Sequence, residues 1–135
     1  MTIDKLHGSL LLGVRIMETQ SSNSTAARTP FRGQGVTLEE IRLLIAKFSD
    51  DTFGTERPFT APLYHLKKEI EEAVESGSME EFVDMLCLLL DAYRKRFPEL
   101  TTQDLLDFSK EKIEIILPAR SWGKPDKHGV IEHIR

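Results

Sequence analysis

Three helix-start signals are spread along the sequence, each a hydroxyl residue followed three positions later by an acidic one. They are Thr37 with Glu40, Ser78 with Glu81, and Thr101 with Asp104. In such pairs the hydroxyl caps the first helical turn, and the acidic side chain can bond back to the cap backbone. The signals therefore predict three helix starts and restrict the chain from residue 37 onward to a largely helical fold.

The spacing of apolar residues predicts four helices, three of which begin at these signals. The first carries an apolar face and is expected to end at Ser49-Asp50-Asp51. The second starts near Pro62 and runs to about Glu75, the third ends at about Arg96, and the fourth stops just before Pro118. No segment alternates as a strand would, so the predicted class is all-α, with three or four packed helices.

Composition excludes several classes of protein. The chain has 135 residues, a net charge of −4 and a single cysteine, Cys87, which rules out a disulfide framework or a Cys-rich zinc site. The mild negative charge argues against a nucleic-acid partner. The apolar stretch 10–14 is broken by Arg15 and is too short to span a membrane, so we expect a cytoplasmic protein without a membrane partner. The Ser/Thr/Gly-rich stretch 18–35 indicates that residues 1–36 form a flexible extension and linker, before one domain at 37–135.

The third helix places carboxylates inside an apolar run. Residues 82–92 are apolar nearly all round, yet Asp84 and Asp91 lie among them on one face, which Glu81 joins. A buried carboxylate without a partner costs several kcal/mol, so such groups are normally paired or bound to a metal. Glu81 has the alternative role of completing the capping box with Ser78.

The second helix offers a matching row, in which His65, Glu69 and Glu72 follow one another at helical spacing. The short break at residues 76–78 predicts an antiparallel hairpin, which brings Glu69 and Glu72 opposite the acidic residues of the third helix. Oxygen ligands of this kind suit Mg²⁺ or Mn²⁺ rather than zinc. His65 is expected to support the site more than to ligate a metal.

These residues resemble a known family. Glu69-x-x-Glu72 followed by Glu81-x-x-Asp84 is similar to the ExxE…ExxD signature of the MazG-like, all-α nucleoside triphosphate pyrophosphohydrolases. The flanking segments 52–54, 62–69, 120–126 and 129–135 resemble the dATP/dGTP pyrophosphohydrolase branch, which includes the phage MazZ-type enzymes. The resemblance covers residues 38–135. One departure is that Lys112 is not followed by the Asn that the family often has within residues 113–119.

The resemblance implies hydrolysis of a (d)NTP, with dGTP and dATP as the expected substrates, to the (d)NMP and pyrophosphate. It implies Mg²⁺ or Mn²⁺ on Glu69, Glu72, Glu81 and Asp84, with Glu69 or Glu72 as general base. The implied substrate-binding residues are basic groups for the phosphates, aromatic rings for the purine, and one further acid: Phe53, Lys68, Asp91, Lys112, Arg120, Trp122 and Lys124.

A homodimer or homotetramer is expected as well, because Leu86, Leu89, Leu90 and Tyr93 cannot all be covered from within the chain. The resemblance points to an oligomer too, so the expected fold is a MazG-like helical bundle completed by oligomerisation. Three alternatives stay open. One is a pyrimidine substrate, another is a non-catalytic helical dimerisation module with a structural cation, and the last is an adaptor that acts through the segment before residue 36.

Overall fold

The computed structural model describes residues 35–135, so most of the predicted extension at residues 1–36 lies outside the described residues. The chain divides into two compact units. The first ends at Leu100 and the second is Thr101–Arg135. The first unit contains helices α1 (Leu38–Phe53), α2 (Thr60–Ser76) and α3 (Met79–Arg96), and the second contains α4 (Thr102–Glu111) followed by a π-helical turn (Lys112–Ile116).

Helix α1 starts as the sequence predicts but ends later. The Thr37 hydroxyl accepts from the Glu40 backbone N–H and the Glu40 side chain accepts from the Thr37 backbone, so the full capping box forms. The expected stop at Ser49-Asp50-Asp51 is wrong, because the helix continues to Phe53. The stop is instead Gly54, whose φ of 89° only glycine adopts easily and whose N–H bonds back to the Asp50 carbonyl.

A two-residue connection joins α2 to α3. Gly77 takes a left-handed conformation with φ 63° and donates to the Ala73 carbonyl, which ends α2. Ser78 then caps α3 by accepting from the Glu81 backbone N–H. So short a connection turns the two helices antiparallel. Helix α3 packs against both α1 and α2 and is therefore the central helix of the first unit.

The core of the first unit is small and partly polar. Its buried apolar side chains are Ile45, Pro62, Leu88, Leu90 and Ala92. Leu90 is fully buried, which corrects its assignment to an apolar face left uncovered by the chain. A polar network joins α1 to α3, because Ser49 donates to Asp91 at 2.9 Å, and Arg94 bonds both Asp91 and Asp50. The hydrogen bonds from Arg94 lower the pKa of Asp50.

The second unit begins with the predicted helix and ends in a hairpin-like arm. Thr101 and Asp104 form a full capping box for α4. Regular α-helix stops at Glu111, earlier than expected, and continues as the π-helical turn because Leu117 N–H bonds to the Lys112 carbonyl, five residues back. The spacing of apolar residues does not distinguish α-helical from π-helical hydrogen bonding, so the sequence could not predict this change. None of the helices in residues 35–135 is both long and apolar enough to span a membrane.

The arm that follows is hydrogen-bonded along its length. Trp122 pairs with His133 in an antiparallel bridge, and the Gly123 N–H donates to the Glu132 carbonyl at 2.9 Å. Asp126 closes the turn, since its Oδ1 accepts from the backbone N–H groups of His128 and Val130. The predicted tail is therefore an ordered arm and not a frayed terminus.

Candidate metal centre

Three carboxylates from α2 and α3 converge near the turn between these helices. Glu69, Glu81 and Asp84 each offer an oxygen that lies within 4.8 Å of the oxygens of the other two. Glu69 is 3% exposed and Asp84 is 6% exposed, whereas Glu81 is half-buried. The three-residue spacing of Glu81 and Asp84 places both on one face of α3, and the antiparallel hairpin sets Glu69 opposite them. We call these three residues the acidic triad.

Burial makes the negative charges of the acidic triad costly. It raises the pKa of Asp84 to about 8, and the neighbouring Glu69 and Glu81 carboxylates contribute to that rise. Burial also raises the pKa of Glu81, with further contributions from Glu72 and Glu69. Near neutral pH the triad must therefore hold a proton or a cation in order to reduce the repulsion among its members.

The oxygen atoms of the triad fit a cation better than they fit protein donors. Oε1 of Glu81 and Oδ1 of Asp84 are buried and accept no hydrogen bond from the described residues. Buried polar atoms normally have partners, so such atoms call for an explanation. An all-oxygen set of anionic ligands matches Mg²⁺ or Mn²⁺. The triad can therefore hold a divalent metal ion.

His65 supports the triad from within α2. Its Nε2 lies 3.1 Å from Oε2 of Glu69, one helical turn further along. Burial lowers the pKa of His65, and the charges of Lys68 and Arg57 lower it further, so the imidazole is neutral at pH 7. A neutral ring can donate Nε2–H to the carboxylate and fix its orientation. This arrangement agrees with the expectation that His65 supports the site.

The structure also bears on the roles predicted for Glu81 and Glu72. Ser78 accepts from the Glu81 backbone N–H, but the Glu81 carboxylate lies in the acidic triad instead of completing a capping box. Glu72 is exposed and is not one of the three converging residues. Its charge still raises the pKa of Glu81, so it lies at the edge of the cluster. Its assignment as a metal ligand, and that of Glu69 or Glu72 as general base, stay predictions.

Three predicted substrate-binding residues belong to the first unit. Phe53 is exposed, the Arg57 guanidinium lies 4.8 Å from its ring centroid, and its ring forms a T-shaped pair with that of Phe48. Lys68 is exposed, and its positive charge contributes to lowering the pKa of His65. Asp91 is buried and has protein partners on both oxygens, Ser49 and Arg94. Sequence reasoning missed Arg57, because no motif or periodicity distinguishes this loop arginine.

The other four predicted residues belong to the second unit. Lys112 opens the π-helical turn, an irregularity often found at functional sites. Arg120, Trp122 and Lys124 lie at the start of the ordered arm, where the Trp122 indole N–H donates to the Leu117 carbonyl at 3.3 Å. Their roles toward a nucleotide stay predictions.

Comparison with known proteins identifies the family. The family model described as dATP/dGTP pyrophosphohydrolase matches residues 41–135, which include the whole acidic triad. The chain belongs to the dATP/dGTP pyrophosphohydrolase family. This family member is therefore a nucleotide pyrophosphohydrolase, an enzyme that cleaves between the α- and β-phosphates of its substrate. The acidic residues predicted from spacing thus lie in a domain of the expected enzyme class.

A solved structure supports the fold of this dATP/dGTP pyrophosphohydrolase family member. It is the cyanophage S-2L MazG-like pyrophosphohydrolase bound to dGDP and three catalytic Mn²⁺ ions per active site. The match has a TM-score of 0.57 and 23% identity, and covers 76% of this chain and 97% of that one. The likeness confirms the predicted MazG-like all-α fold. No curated protein matches the chain significantly.

Proposed function

We propose that the chain hydrolyses a deoxypurine nucleoside triphosphate, dGTP or dATP, to the monophosphate and pyrophosphate with Mg²⁺ or Mn²⁺. The observation that carries the proposal is the buried acidic triad, which lies within the segment matched by the dATP/dGTP family model. The cyanophage neighbour, which holds dGDP and Mn²⁺, supports the same assignment.

Glu69, Glu81 and Asp84 would hold the metal, with Glu72 completing the set from the edge of the cluster. A bound divalent cation would neutralise phosphate charge and lower the pKa of the attacking water. The residues themselves supply orientation, because His65 holds Glu69 and the helical hairpin holds Glu69 opposite Asp84.

A carboxylate must also accept the proton that water loses as it attacks the α-phosphorus. Glu69 and Glu72 are the two candidates for this general base. Glu72 is exposed, so it can pass the proton on to solvent, whereas Glu69 is buried and bonded to His65. The oxygen of the water then joins the monophosphate, and the bond to the β-phosphate breaks to release pyrophosphate.

The remaining predicted residues would bind the nucleotide. The phosphates would meet basic side chains, namely Lys68, Lys112, Arg120 and Lys124. The purine would stack on Phe53 or Trp122, whose rings are about half exposed. Asp91 would contribute indirectly, since its oxygens already accept bonds from Ser49 and Arg94.

A panel of the eight common ribo- and deoxyribonucleoside triphosphates tests the substrate. Each is incubated with the protein and Mg²⁺ or Mn²⁺, and the products are separated by anion exchange. We expect equimolar monophosphate and pyrophosphate, formed fastest from dGTP or dATP. Preference for a pyrimidine nucleotide would overturn the substrate assignment. Cation binding without pyrophosphate release would favour the non-catalytic helical module.

Variants of the carboxylates test the site. We expect Glu69→Gln, Glu72→Gln and Asp84→Asn each to reduce turnover by about 100-fold or more, because each removes a charge needed to hold the cation or to accept a proton. Glu71→Gln is the matched control, since Glu71 is exposed on the same helix outside the acidic triad. Circular dichroism checks that the helices persist. A variant that retains more than about a tenth of the activity would remove its residue from the essential set.

A further inference from the structure

Arg57 lies in the loop between α1 and α2 and is half-buried, yet it forms no ion pair within residues 35–135. The chain has 22 acidic residues, so an arginine without a carboxylate partner is notable. Its contacts are neutral ones. The guanidinium carbon is 4.8 Å from the centroid of the Phe53 ring, and its NH1 donates to Oγ of Ser49 at 3.4 Å. The positive charge is therefore held in place without being neutralised.

A buried relay orients the hydroxyl that Arg57 contacts. Ser49 is 1% exposed and donates its proton to Oδ2 of Asp91 at 2.9 Å. The other oxygen of Asp91 accepts from Nε of Arg94 at 2.8 Å. Because the Ser49 proton is committed to Asp91, its oxygen faces Arg57 as an acceptor. One N–H of the guanidinium is thereby anchored, and the others stay available for a further acceptor.

The contacts of Arg57 connect it to the helix face that carries the metal centre. Ser49 accepts from Arg57 and donates to Asp91, and Asp91 follows Asp84 by two turns along the same face of α3. A positive group without an ion pair among the described residues therefore lies further along the helix face that holds Glu81 and Asp84. A site for a bound cation and a highly charged anion needs such groups, because the outer phosphates carry most of the substrate's negative charge.

We infer that Arg57 binds the outer phosphates of the nucleotide, the part that leaves as pyrophosphate. The inference rests on the proposed function. The planar guanidinium presents paired N–H donors that match phosphate oxygens, and stacking on Phe53 holds its plane. Asp91 and Ser49 are positioning residues that act through Arg57. Asp91 would thus contribute to substrate binding indirectly, because it orients Ser49, which in turn positions Arg57.

Separate binding measurements with the two reaction products, pyrophosphate and dGMP, test the inference directly. Inorganic pyrophosphate and dGMP are titrated separately into the Mn²⁺-loaded protein by calorimetry. We expect Arg57→Gln to weaken pyrophosphate binding by about 10- to 100-fold, the range for a lost hydrogen bond to a charged group, and to change dGMP binding by less than about twofold. Arg57→Lys keeps the positive charge but loses the paired N–H donors of the planar guanidinium. Its affinity for pyrophosphate should therefore lie between those of Arg57→Gln and wild type. Ser49→Ala should weaken pyrophosphate binding several-fold.

Arg96→Gln is the matched control. Arg96 also stacks over aromatic rings, those of Phe59 and Phe97, and has no ion pair within the described part of the chain. It lies 12 residues after Asp84 on the same helix, about 18 Å along the axis. Pyrophosphate affinity should be unchanged in this variant. Melting temperatures of all variants check that each one is folded.

The outcomes separate this inference from the proposed function. If the wild type releases pyrophosphate from a dNTP but Arg57→Gln binds pyrophosphate within about twofold of wild type, the role of Arg57 is refuted and the enzyme assignment stands. Equal losses for dGMP and pyrophosphate would also refute it, because the effect would not be confined to the outer phosphates. If no dNTP is hydrolysed while the selective loss of pyrophosphate binding is seen, the proposed function fails and the anion site stands.

Discussion

At the scale of single residues, the carboxyl group of Asp84 has a strongly raised pKa. Burial, with the charges of Glu69 and Glu81, raises its pKa to about 8. The site thus stores unfavourable electrostatic free energy when it is empty and deprotonated, and a divalent cation relieves it. Protons and metal ions therefore compete for the same oxygens, and metal affinity should rise with pH.

The pH dependence of stability in the metal-free protein follows from this shift. Asp84 titrates near 3.8 in an unfolded chain and near 8 in the folded one, so between these values the folded state holds the additional proton. The free energy of unfolding should therefore fall as pH rises from about 4 to about 8. In Asp84→Asn this contribution disappears, so the decline should be shallower and the variant should be at least as stable as wild type at pH 8.

Urea denaturation in EDTA across pH 5.5 to 8.5 (about half-unit steps) measures this dependence. Glu71→Gln is a suitable control, because Glu71 is exposed and outside the acidic triad, and its profile should follow that of wild type. Parallel profiles for wild type and Asp84→Asn would show that Asp84 titrates normally in the folded protein.

At the scale of elements, the connection between α2 and α3 determines the site. Gly77 ends α2 with a left-handed φ of 63°, and Ser78 begins α3 at once. This tight connection keeps the two antiparallel helices in register, so that Glu69 meets Glu81 and Asp84 near the turn. The acidic triad therefore depends on local turn chemistry as much as on the carboxylates.

The C-terminal arm is the second element with an expected function. Because it is ordered and carries Arg120, Trp122 and Lys124, we expect deletion of residues 119–135 to raise the KM for the nucleotide by about tenfold or more. Metal binding by the acidic triad should survive the deletion. Steady-state kinetics and Mn²⁺ calorimetry measure the two effects.

Point variants identify which side chains of the arm are responsible. Arg120→Gln and Lys124→Gln should each raise KM, whereas Lys127→Gln, an exposed lysine further along the same arm, should not. Circular dichroism verifies that the truncated protein remains helical. An unchanged KM after deletion would remove Arg120, Trp122 and Lys124 from the substrate-binding set.

At the scale of the whole molecule, the first unit leaves many large apolar side chains exposed. Its buried apolar core is small and consists of Ile45, Pro62, Leu88, Leu90 and Ala92. The exposed apolar side chains on its helices include Leu43, Leu44, Tyr64, Ile70, Val74, Phe82, Leu86 and Leu89. Extensive apolar surface of this kind marks interfaces. Of the residues expected to form the interface, Leu86 and Leu89 are exposed and Leu90 is buried, and the oligomer itself stays a prediction.

Light scattering after size exclusion tests the oligomer. At micromolar concentration we expect the mass of a dimer or a tetramer, and Leu89→Glu should shift it toward the monomer because it would bury a charge in the interface. Leu106→Glu offers a comparison, since Leu89 and Leu106 are both 46% exposed and Leu106 lies on α4 in the second unit. A monodisperse monomer of wild type would refute the prediction.

Local patterns determined much of this protein. The hydroxyl–acid pairs set the starts of α1, α3 and α4, and apolar spacing set the all-α class, because both act within a few residues of the chain. Helical spacing also predicted that four carboxylates meet, and three of them converge in the acidic triad, whereas Glu72 is not among the converging residues. The sequence motifs also predicted the family, and the match of the family model over residues 41–135 confirms that prediction.

Tertiary structure decided what depends on contacts between distant segments. The sequence suggested that Asp91 is an unpaired carboxylate. In the structure its two oxygens accept hydrogen bonds from Arg94 and from Ser49, which is 42 residues away. Leu90 could not be separated by its periodicity from its exposed neighbour Leu89, because only packing decides which side of an apolar helix is covered. The environment of Arg57 became apparent only once the fold had brought Phe53 and Ser49 against it, since no spacing along the chain encodes those contacts.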